Sequence, residues 1–327
     1  MIARRSVLLA IGVGLVAPLI GYGQPKSKIP RIGILWFGSP DTPAAARNRE
    51  VFRRQLSALG YVEGKNIVIV ERSAEGNAER LGGVARELVA SNVDVIVTPT
   101  VTASRAARQA TRTIPIVMLH AGDPVGAGLI ASLARPGGNV TGTTNLTYAG
   151  KQIELMREVM PGAVKFAILL NPSNANASRY VTDAMEAGRK LNLSIAVAEV
   201  SRAEDFPIAF AMIREMRPDG LLVMGDAFIG EHRAEVIAFA AGARLPASVD
   251  VPNWVSEGAL IAYGPVLSEH YLMGAGYVDR ILKGAKPADL PVEQPKRFEL
   301  VINLKAAKAL GLTIPESMIV RADEVIR

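Results

Sequence analysis

The feature that most constrains this chain is a repeated alternation between short apolar runs and segments with helical periodicity. The first run, residues 32–37, contains no charged residue. It precedes a segment, residues 45–59, in which apolar residues recur every three or four positions. Continuous apolar strands are typical of parallel sheets that helices cover on both faces. The alternation therefore predicts an α/β fold with a doubly wound sheet.

The same alternation begins again in the second half of the chain, after a turn at residues 136–139. Strand-like runs start there at Phe166, Leu193 and Gly220, with helical segments between them. A length of 327 residues agrees with two domains. We therefore predict two doubly wound, Rossmann-like lobes that face a cleft, with the first crossing between them at residues 136–139.

The C-terminal part does not fit a simple tandem of two units. After a Pro-rich stretch, residues 287–295, one strand (298–302) and one helix (305–310) remain. This extra pair predicts that the chain crosses between the lobes more than once, and several crossings at one edge would form a hinge. We expect the two lobes to comprise residues 30–142 with 264–297, and residues 143–263 with 298–327.

The N-terminus has the pattern of an export signal. Two arginines precede an apolar run, residues 7–20, and small residues follow up to Gly23. We predict a signal peptide at residues 1–23, a linker at 24–29 and a periplasmic location, with a twin-arginine route as one option. A membrane anchor is the alternative, although the run contains Pro18 and is shorter than the roughly 20 residues that span a bilayer.

Composition excludes several classes of function. The chain has no cysteine, which rules out disulfides, thiolate metal sites, thiol nucleophiles and lipid anchoring as a bacterial lipoprotein. The net charge of +6 falls to +4 when the leader and its two arginines are removed. Arg105, Arg108 and Arg112 share one helical face, but no aromatic residue interleaves with them, as stacking on single-stranded nucleic acid requires. We therefore predict no nucleic-acid partner.

Several long motifs resemble those of one protein family. They lie at residues 59–67, 122–125, 133–142, 171–172, 283–295 and 309–326. Together they resemble the ABC transporter substrate-binding proteins of the tryptophan-binding-protein-like type, from about Pro30 to the C-terminus. The resemblance implies a type 1 periplasmic binding fold with three hinge crossings. It also implies a soluble, monomeric receptor that delivers a small solute to an ABC permease in the inner membrane.

The resemblance extends to the class of solute, with one departure. Ligands in this family lean towards aromatic amino acids and related small carboxylates. The family commonly has Gly-Thr after its third strand, whereas this chain has Pro99 and Thr100. The family's usual ligand therefore does not transfer directly.

Polar residues follow the predicted strands of the first unit, where ligands bind in open α/β sheets. Ser39 follows the first strand, Thr100 and Thr102 the third, and Asp123 the fourth. Hydroxyls at the start of a helix can hold a carboxylate, which the positive helix end favours. Thr102 is equally a candidate N-cap, and Asp123 is equally a turn former before Pro124.

The second unit supplies Asn174, Asp226 and Asp250 at corresponding positions. Asp226 is our candidate for the partner of a solute ammonium group, with the N-cap of the following helix as the alternative role. Three aromatic residues near strand ends are candidates for sandwiching an apolar solute, with core packing as the alternative for each: Trp36, Phe228 and Tyr263.

A Rossmann-type enzyme is the competing function of another class. It would need G-x-G-x-x-G after the first strand, where residues 37–41 contain one glycine. Walker A and G-x-S-x-G motifs are absent, and the three histidines lack the spacing of a metal site. We therefore predict a receptor that closes on its solute, with no catalysis, cofactor or metal. A secreted sensor that docks on a receptor remains the alternative.

Overall fold

The structure is a computed structural model that describes residues 28–145, 148–174 and 176–327. The predicted signal peptide and most of the linker lie outside these residues. The strands are β1 (Arg31–Trp36), β2 (Val68–Ser73), β3 (Val95–Thr98), β4 (Ile116–Ala121), β5 (Val140–Thr144), β6 (Lys165–Leu170), β7 (Ser194–Glu199), β8 (Gly220–Val223), β9 (Ala247–Val249), β10 (Ile261–Pro265), β11 (Phe298–Asn303) and β12 (Glu324–Ile326).

Eleven α-helices in the described ranges connect these strands. They are α1 (Pro43–Ala58), α2 (Ala78–Ala90), α3 (Val101–Ala110), α4 (Ala149–Val159), α5 (Ala177–Leu191), α6 (Asp205–Met216), α7 (Ala227–Glu231), α8 (Arg233–Gly242), α9 (Leu267–Leu282), α10 (Leu304–Leu310) and α11 (Glu316–Arg321). Within this part of the chain, no helix combines the length and the apolar character that crossing a membrane requires.

The strands form two separate sheets, and each sheet is the centre of one lobe. The first lobe has five parallel strands in the order β2-β1-β3-β4-β5. The second has seven in the order β12-β11-β10-β9-β8-β6-β7, where only the pairing of β10 with β11 is antiparallel among the described strands. The prediction of a two-lobed α/β fold is confirmed.

Helices cover both faces of the first sheet, which explains why its central strands, β1 and β3, are mainly apolar. Leu35 of β1 packs in one core with Leu88 of α2. Its neighbour Ile34 points to the other face, into a second core with Phe52 of α1 and Tyr277 of α9. Helix α9 therefore belongs to the first lobe although it follows a strand of the second.

The chain passes between the lobes at three places. The first lies between β5 and α4, the second at Val266 between β10 and α9, and the third between Glu293 and β11. The crossings lie side by side: Thr143 pairs with Glu293, and the Val266 N–H donates to the Arg297 carbonyl at 3.2 Å. The three adjacent crossing segments together form the hinge that the C-terminal pattern predicted.

The first crossing lies later in the chain than predicted. Residues 136–139 lead into β5, which pairs with β4, so the chain remains in the first lobe through Thr144. Strand β5 escaped prediction because its buried residues are mostly threonines. Their hydroxyls have partners from distant segments: Thr141 donates to the Leu290 carbonyl at 2.7 Å, and Thr143 lies 2.8 Å from His270 Nδ1.

Candidate functional site

A cavity of about 220 Å³ lies between the facing edges of the two sheets. The first lobe contributes the start of α3 and the end of β4, and the second contributes the segments after β6, β8 and β9. The residues that carry polar or aromatic groups into it are Thr100, Thr102, His120, Asn145, Asn174, Asn176, Asp226, Asp250 and Trp254. An open groove of about 680 Å³, which shares Thr102, Asn174 and Asp226 with the cavity, extends along the cleft past Phe228.

The start of α3 forms one part of the first-lobe wall. Thr100 is the N-cap of this helix, and its Oγ1 accepts the Ala103 N–H at 3.1 Å. The prediction that Thr102 caps the helix is therefore wrong, because the helix begins two residues earlier than expected. Thr102 instead lies in the first turn and lines the cavity. The wall thus presents hydroxyls beside a positive helix end.

Two histidines lie behind and within this wall. His120 is half-buried at the end of β4, and His270 of α9 is fully buried, with the two ring centroids 6.0 Å apart. Burial lowers the pKa of His120 to about 4. Burial, with a smaller contribution from His120, lowers the pKa of His270 to about 3. Both imidazoles are therefore neutral at pH 7.

Asp226 holds the second-lobe loops together. Its Oδ1 accepts the Phe228 and Ile229 N–H groups at 2.9 and 3.3 Å, so Asp226 is the N-cap of α7. The same oxygen accepts an N–H of Asn171 at 3.1 Å, and Oδ2 accepts an N–H of Asn174 at 2.7 Å. Asp226 lines the cavity with a carboxylate that already receives four hydrogen bonds.

Asp250, which follows β9, has the opposite character. Its side chain is buried, and neither oxygen has a hydrogen-bond partner of ordinary geometry among the described residues. Burial raises the pKa of Asp250 to about 7, although the backbone amides of Gly225 and of Asp250 itself oppose the rise. A Cβ on Gly225 would lie 2.2 Å from Asp250 Oδ1, so this approach requires a glycine there.

The two lobes touch across the cavity. A Cβ on Gly122 of the first lobe would lie 1.3 Å from Asn176 Nδ2 of the second. Asn176 occupies the N-cap position of α5, but its side chain makes no capping hydrogen bond within the described chain. The amide instead lies against the glycine opposite. The Gly122 carbonyl also accepts a hydrogen bond from Thr144 at the first crossing, which ties this contact to the hinge.

Six of the predicted site residues line the cavity or the groove: Thr100, Thr102, Asn174, Asp226, Phe228 and Asp250. Four line neither: Trp36, Ser39, Asp123 and Tyr263. Trp36 is buried in the first-lobe core and donates its indole N–H to Glu71 at 2.8 Å. Asp123 accepts the Gly126 N–H at 2.9 Å, which is the turn role. The Ser39 hydroxyl accepts the Asp41 N–H, and Tyr263 stacks on Phe298.

Sequence reasoning missed several residues that line the cavity. Gly225 lies two residues beyond the end of β8, so the rule of strand ends could have named it. Asn176 is the N-cap of a helix and lies six residues beyond its strand, and Trp254 lies in a short 3₁₀ helix, so neither position carried a signal. Across the described residues, no group of three or more His, Asp or Glu side chains could hold a metal ion.

Known proteins share this architecture. Residues 33–326 match the family model described as ABC transporter substrate binding protein. The tyrosine-binding protein of Clostridioides difficile (strain R20291) is 28% identical over 270 residues, which cover 83% of this chain and 78% of that protein.

Two crystal structures resemble the fold with a TM-score of 0.86 each, and each match covers 91% of this chain and all of the other. One is a conserved domain protein of Vibrio cholerae O1 biovar El Tor, which is 31% identical. The other is an ABC domain of Streptococcus pneumoniae in complex with L-Trp, which is 27% identical.

Proposed function

Because this chain belongs to the ABC transporter substrate-binding protein family, we propose that it is the receptor of an importer that binds an α-amino acid between its lobes. The family binds small solutes and is not a family of enzymes, as the motifs of the sequence implied. The observation that supports the proposal most is the cavity itself. One wall carries hydroxyls at a helix N-terminus, and the other carries carboxylates.

The arrangement of the two walls fits a zwitterion. A solute carboxylate would lie at the start of α3, where Thr100 and Thr102 offer hydroxyls and the helix end is positive. A solute ammonium group would lie against the acidic second-lobe wall. The solute side chain would extend past Trp254 or into the groove towards Phe228. The relatives described as binding tyrosine and L-Trp favour an aromatic side chain.

Lobe closure would couple binding to transport. A solute can shift an open–closed equilibrium only if it makes more contacts in one state than in the other. A solute that bridges the two walls meets this condition, because each wall belongs to a different lobe. The contact of Asn176 with Gly122 would then form only in the closed state. We propose that an ABC permease in the inner membrane recognises that closed surface.

Three further predictions belong to this proposal. We propose that residues 1–23 are a cleaved export signal, which would place the receptor in the periplasm. We also propose that it works as a monomer. We propose that it needs no cofactor and has no nucleic-acid partner. The sheets support lobes of residues 30–142 with 264–297 and 143–263 with 298–327, except that β5 extends the first lobe to Thr144 and β10 extends the second lobe to Pro265.

A thermal-shift screen of the protein against the proteinogenic amino acids, aromatic acids and keto acids tests the function. A solute at 100 times its Kd should stabilise the fold by about 2.7 kcal/mol. Every hit should be recovered chemically unchanged after incubation. The absence of any amino-acid hit, or conversion of a hit into a product, would overturn the proposal.

A further inference from the structure

Two carboxylates line the second-lobe wall, and their surroundings differ. Asp226 receives four hydrogen bonds, two from the start of α7 and two from side-chain amides. Asp250 is 4% exposed and receives none of ordinary geometry from the described residues. A buried polar group without a partner costs free energy, and native proteins rarely leave one. Asp250 is therefore the carboxylate of the cavity wall whose missing hydrogen-bond donors a ligand would supply.

The backbone around Asp250 is shaped to admit this carboxylate. A Cβ on Gly225 would lie 2.2 Å from its Oδ1, and a Cβ on Gly264 would lie 1.9 Å from its carbonyl oxygen. Neither glycine has a positive φ angle, so both positions are glycine because of space rather than backbone conformation. Two elements, the end of β8 and strand β10, thus make room for Asp250 at the base of the cavity.

We propose that Asp250, rather than Asp226, forms the ion pair with the ammonium group of the solute. This inference rests on the proposed function and specifies which class of solute the site accepts. Primary ammonium compounds would supply the missing donors, and the proton held by Asp250 in the empty site would leave to solvent. Keto acids and deaminated acids would be rejected, because they would leave the buried carboxyl group unpaired.

The charge state of Asp250 depends on its burial and on the titratable groups near it. Burial makes the largest contribution to the raised pKa of Asp250, and the like charge of Asp226 makes a smaller one in the same direction. Tyr180 of α5 is close enough for Asp250 to raise the pKa of its hydroxyl further above 10, so this hydroxyl stays neutral. His120 lines the opposite wall and is also neutral above pH 5, because its pKa is about 4. Asp250 is thus a cavity group whose charge changes near pH 7.

Calorimetric titration of the protein with L-tryptophan, L-tyrosine and indole-3-propionate, at pH values from 5.5 to 8.5, tests the inference. The amino acids should bind at least about 100-fold more tightly than indole-3-propionate at pH 8. Their affinity should fall about tenfold per pH unit below pH 7, because binding then releases one proton. Equal affinity for tryptophan and its deaminated analogue would overturn the inference without any mutant.

Matched variants separate the two carboxylates. Asp250→Asn should lower amino-acid affinity at pH 8 by about 100-fold and remove its pH dependence. Asp226→Asn keeps an oxygen that can cap α7 and should have the smaller effect. A larger loss from Asp226→Asn, or an unchanged pH profile in Asp250→Asn, would overturn the inference. If the wild-type protein bound no amino acid at all, the proposed function would fail instead.

Discussion

The two walls of the cavity face each other but differ in chemistry. The first-lobe wall presents the hydroxyls of Thr100 and Thr102, a helix N-terminus and the neutral ring of His120. The second-lobe wall presents the carboxyl groups of Asp226 and Asp250. Both walls arise from the same rule, because each consists of loops at the carboxyl ends of parallel strands. Because the two walls differ in this way, a bound zwitterion has one preferred orientation. Its carboxylate needs the first lobe and its ammonium group needs the second.

The largest expected effect comes from filling the space beside Asp250. Gly225→Ala places a Cβ 2.2 Å from Asp250 Oδ1 and 2.9 Å from a methyl group of Val251. Relieving this overlap should cost about 2–3 kcal/mol and displace the carboxylate, so affinity for an amino acid should fall about 100-fold. Titration calorimetry measures this loss.

Gly230→Ala is the matched control for that substitution. Gly230 lines the same cavity, but beyond its own helix and its chain neighbours a Cβ there has no described atom within 4 Å. The control should bind with wild-type affinity and be slightly more stable, because alanine favours a helix by about 1 kcal/mol over glycine. Similar losses in the two variants would show that Asp250 needs no such space.

The two walls should also respond to pH with opposite sign. His270 supports the first-lobe wall, and its pKa of about 3 lies below the ordinary value of 6.5. Between these pH values the unfolded chain binds a proton that the folded chain does not, so stability is lost as pH falls below 6.5. Asp250 has a pKa of about 7 against an ordinary 3.8, so its contribution is lost as pH rises from 3.8 to 7. Each slope is about 1.4 kcal/mol per pH unit.

Urea unfolding between pH 4.5 and 6.5 resolves these contributions. His270→Asn, which keeps a donor near Thr143, should make the rise of unfolding free energy with pH less steep. Asp250→Asn should make the same rise steeper, because the opposing slope is removed. Parallel curves for the two variants and the wild type would contradict the assignment of opposite proton behaviour to the two walls.

A smaller effect should follow from separating the walls at their direct contact. Gly122→Ala places a Cβ 1.3 Å from Asn176 Nδ2 and within 2.4 Å of the rest of that amide. On the proposed closure mechanism this clash arises in the closed state alone, so affinity should fall about tenfold while the stability of the empty protein is unchanged. Small-angle scattering with ligand should show a larger fraction of open molecules.

Two further variants show whether this loss comes from the contact. Gly138 lies in the same lobe as Gly122, and a Cβ there has no described atom within 4 Å apart from its chain neighbours. The Gly138→Ala variant should therefore bind an amino acid with wild-type affinity. Adding Asn176→Ala to Gly122→Ala should recover most of the affinity, because the shorter side chain no longer reaches the new methyl group. Absence of rescue would place the effect of Gly122→Ala elsewhere.

The architecture was predictable from the sequence because it rests on local patterns. Strands such as β3 are continuous apolar runs that parallel sheets require, and helices such as α2 carry the apolar spacing of a covered face. Strand β5 was not predictable, since its buried threonines depend on partners that lie more than 100 residues away, at Leu290 and His270. The first crossing between the lobes therefore lies at the end of this strand, whereas the sequence predicted it at residues 136–139.

The site was predictable only as a set of positions. The rule of strand ends named Asp226 and Asp250 alike. Asp226 nevertheless receives hydrogen bonds from the loop after β6, which meets it only in the folded chain, and Asp250 does not. Trp36 follows the same rule and is nevertheless buried in a core. Sequence spacing predicts which edge of a sheet a side chain occupies. Which other side chains it contacts or forms hydrogen bonds with depends on how the loops pack in the folded protein.

The smallest effect should come from one hydroxyl of the first-lobe wall. Thr100 and Thr42 are both N-caps, of α3 and α1, and each Oγ1 accepts one backbone N–H, at 3.1 and 3.3 Å. Substitution of either by alanine should lower the free energy of unfolding by about 1 kcal/mol. Only Thr100 lines the cavity, so only Thr100→Ala should also weaken amino-acid binding, by about fivefold. The loss stays small because the α3 helix end keeps its positive potential without the hydroxyl. Equal affinities in Thr100→Ala and Thr42→Ala would mean that the solute carboxylate lies elsewhere.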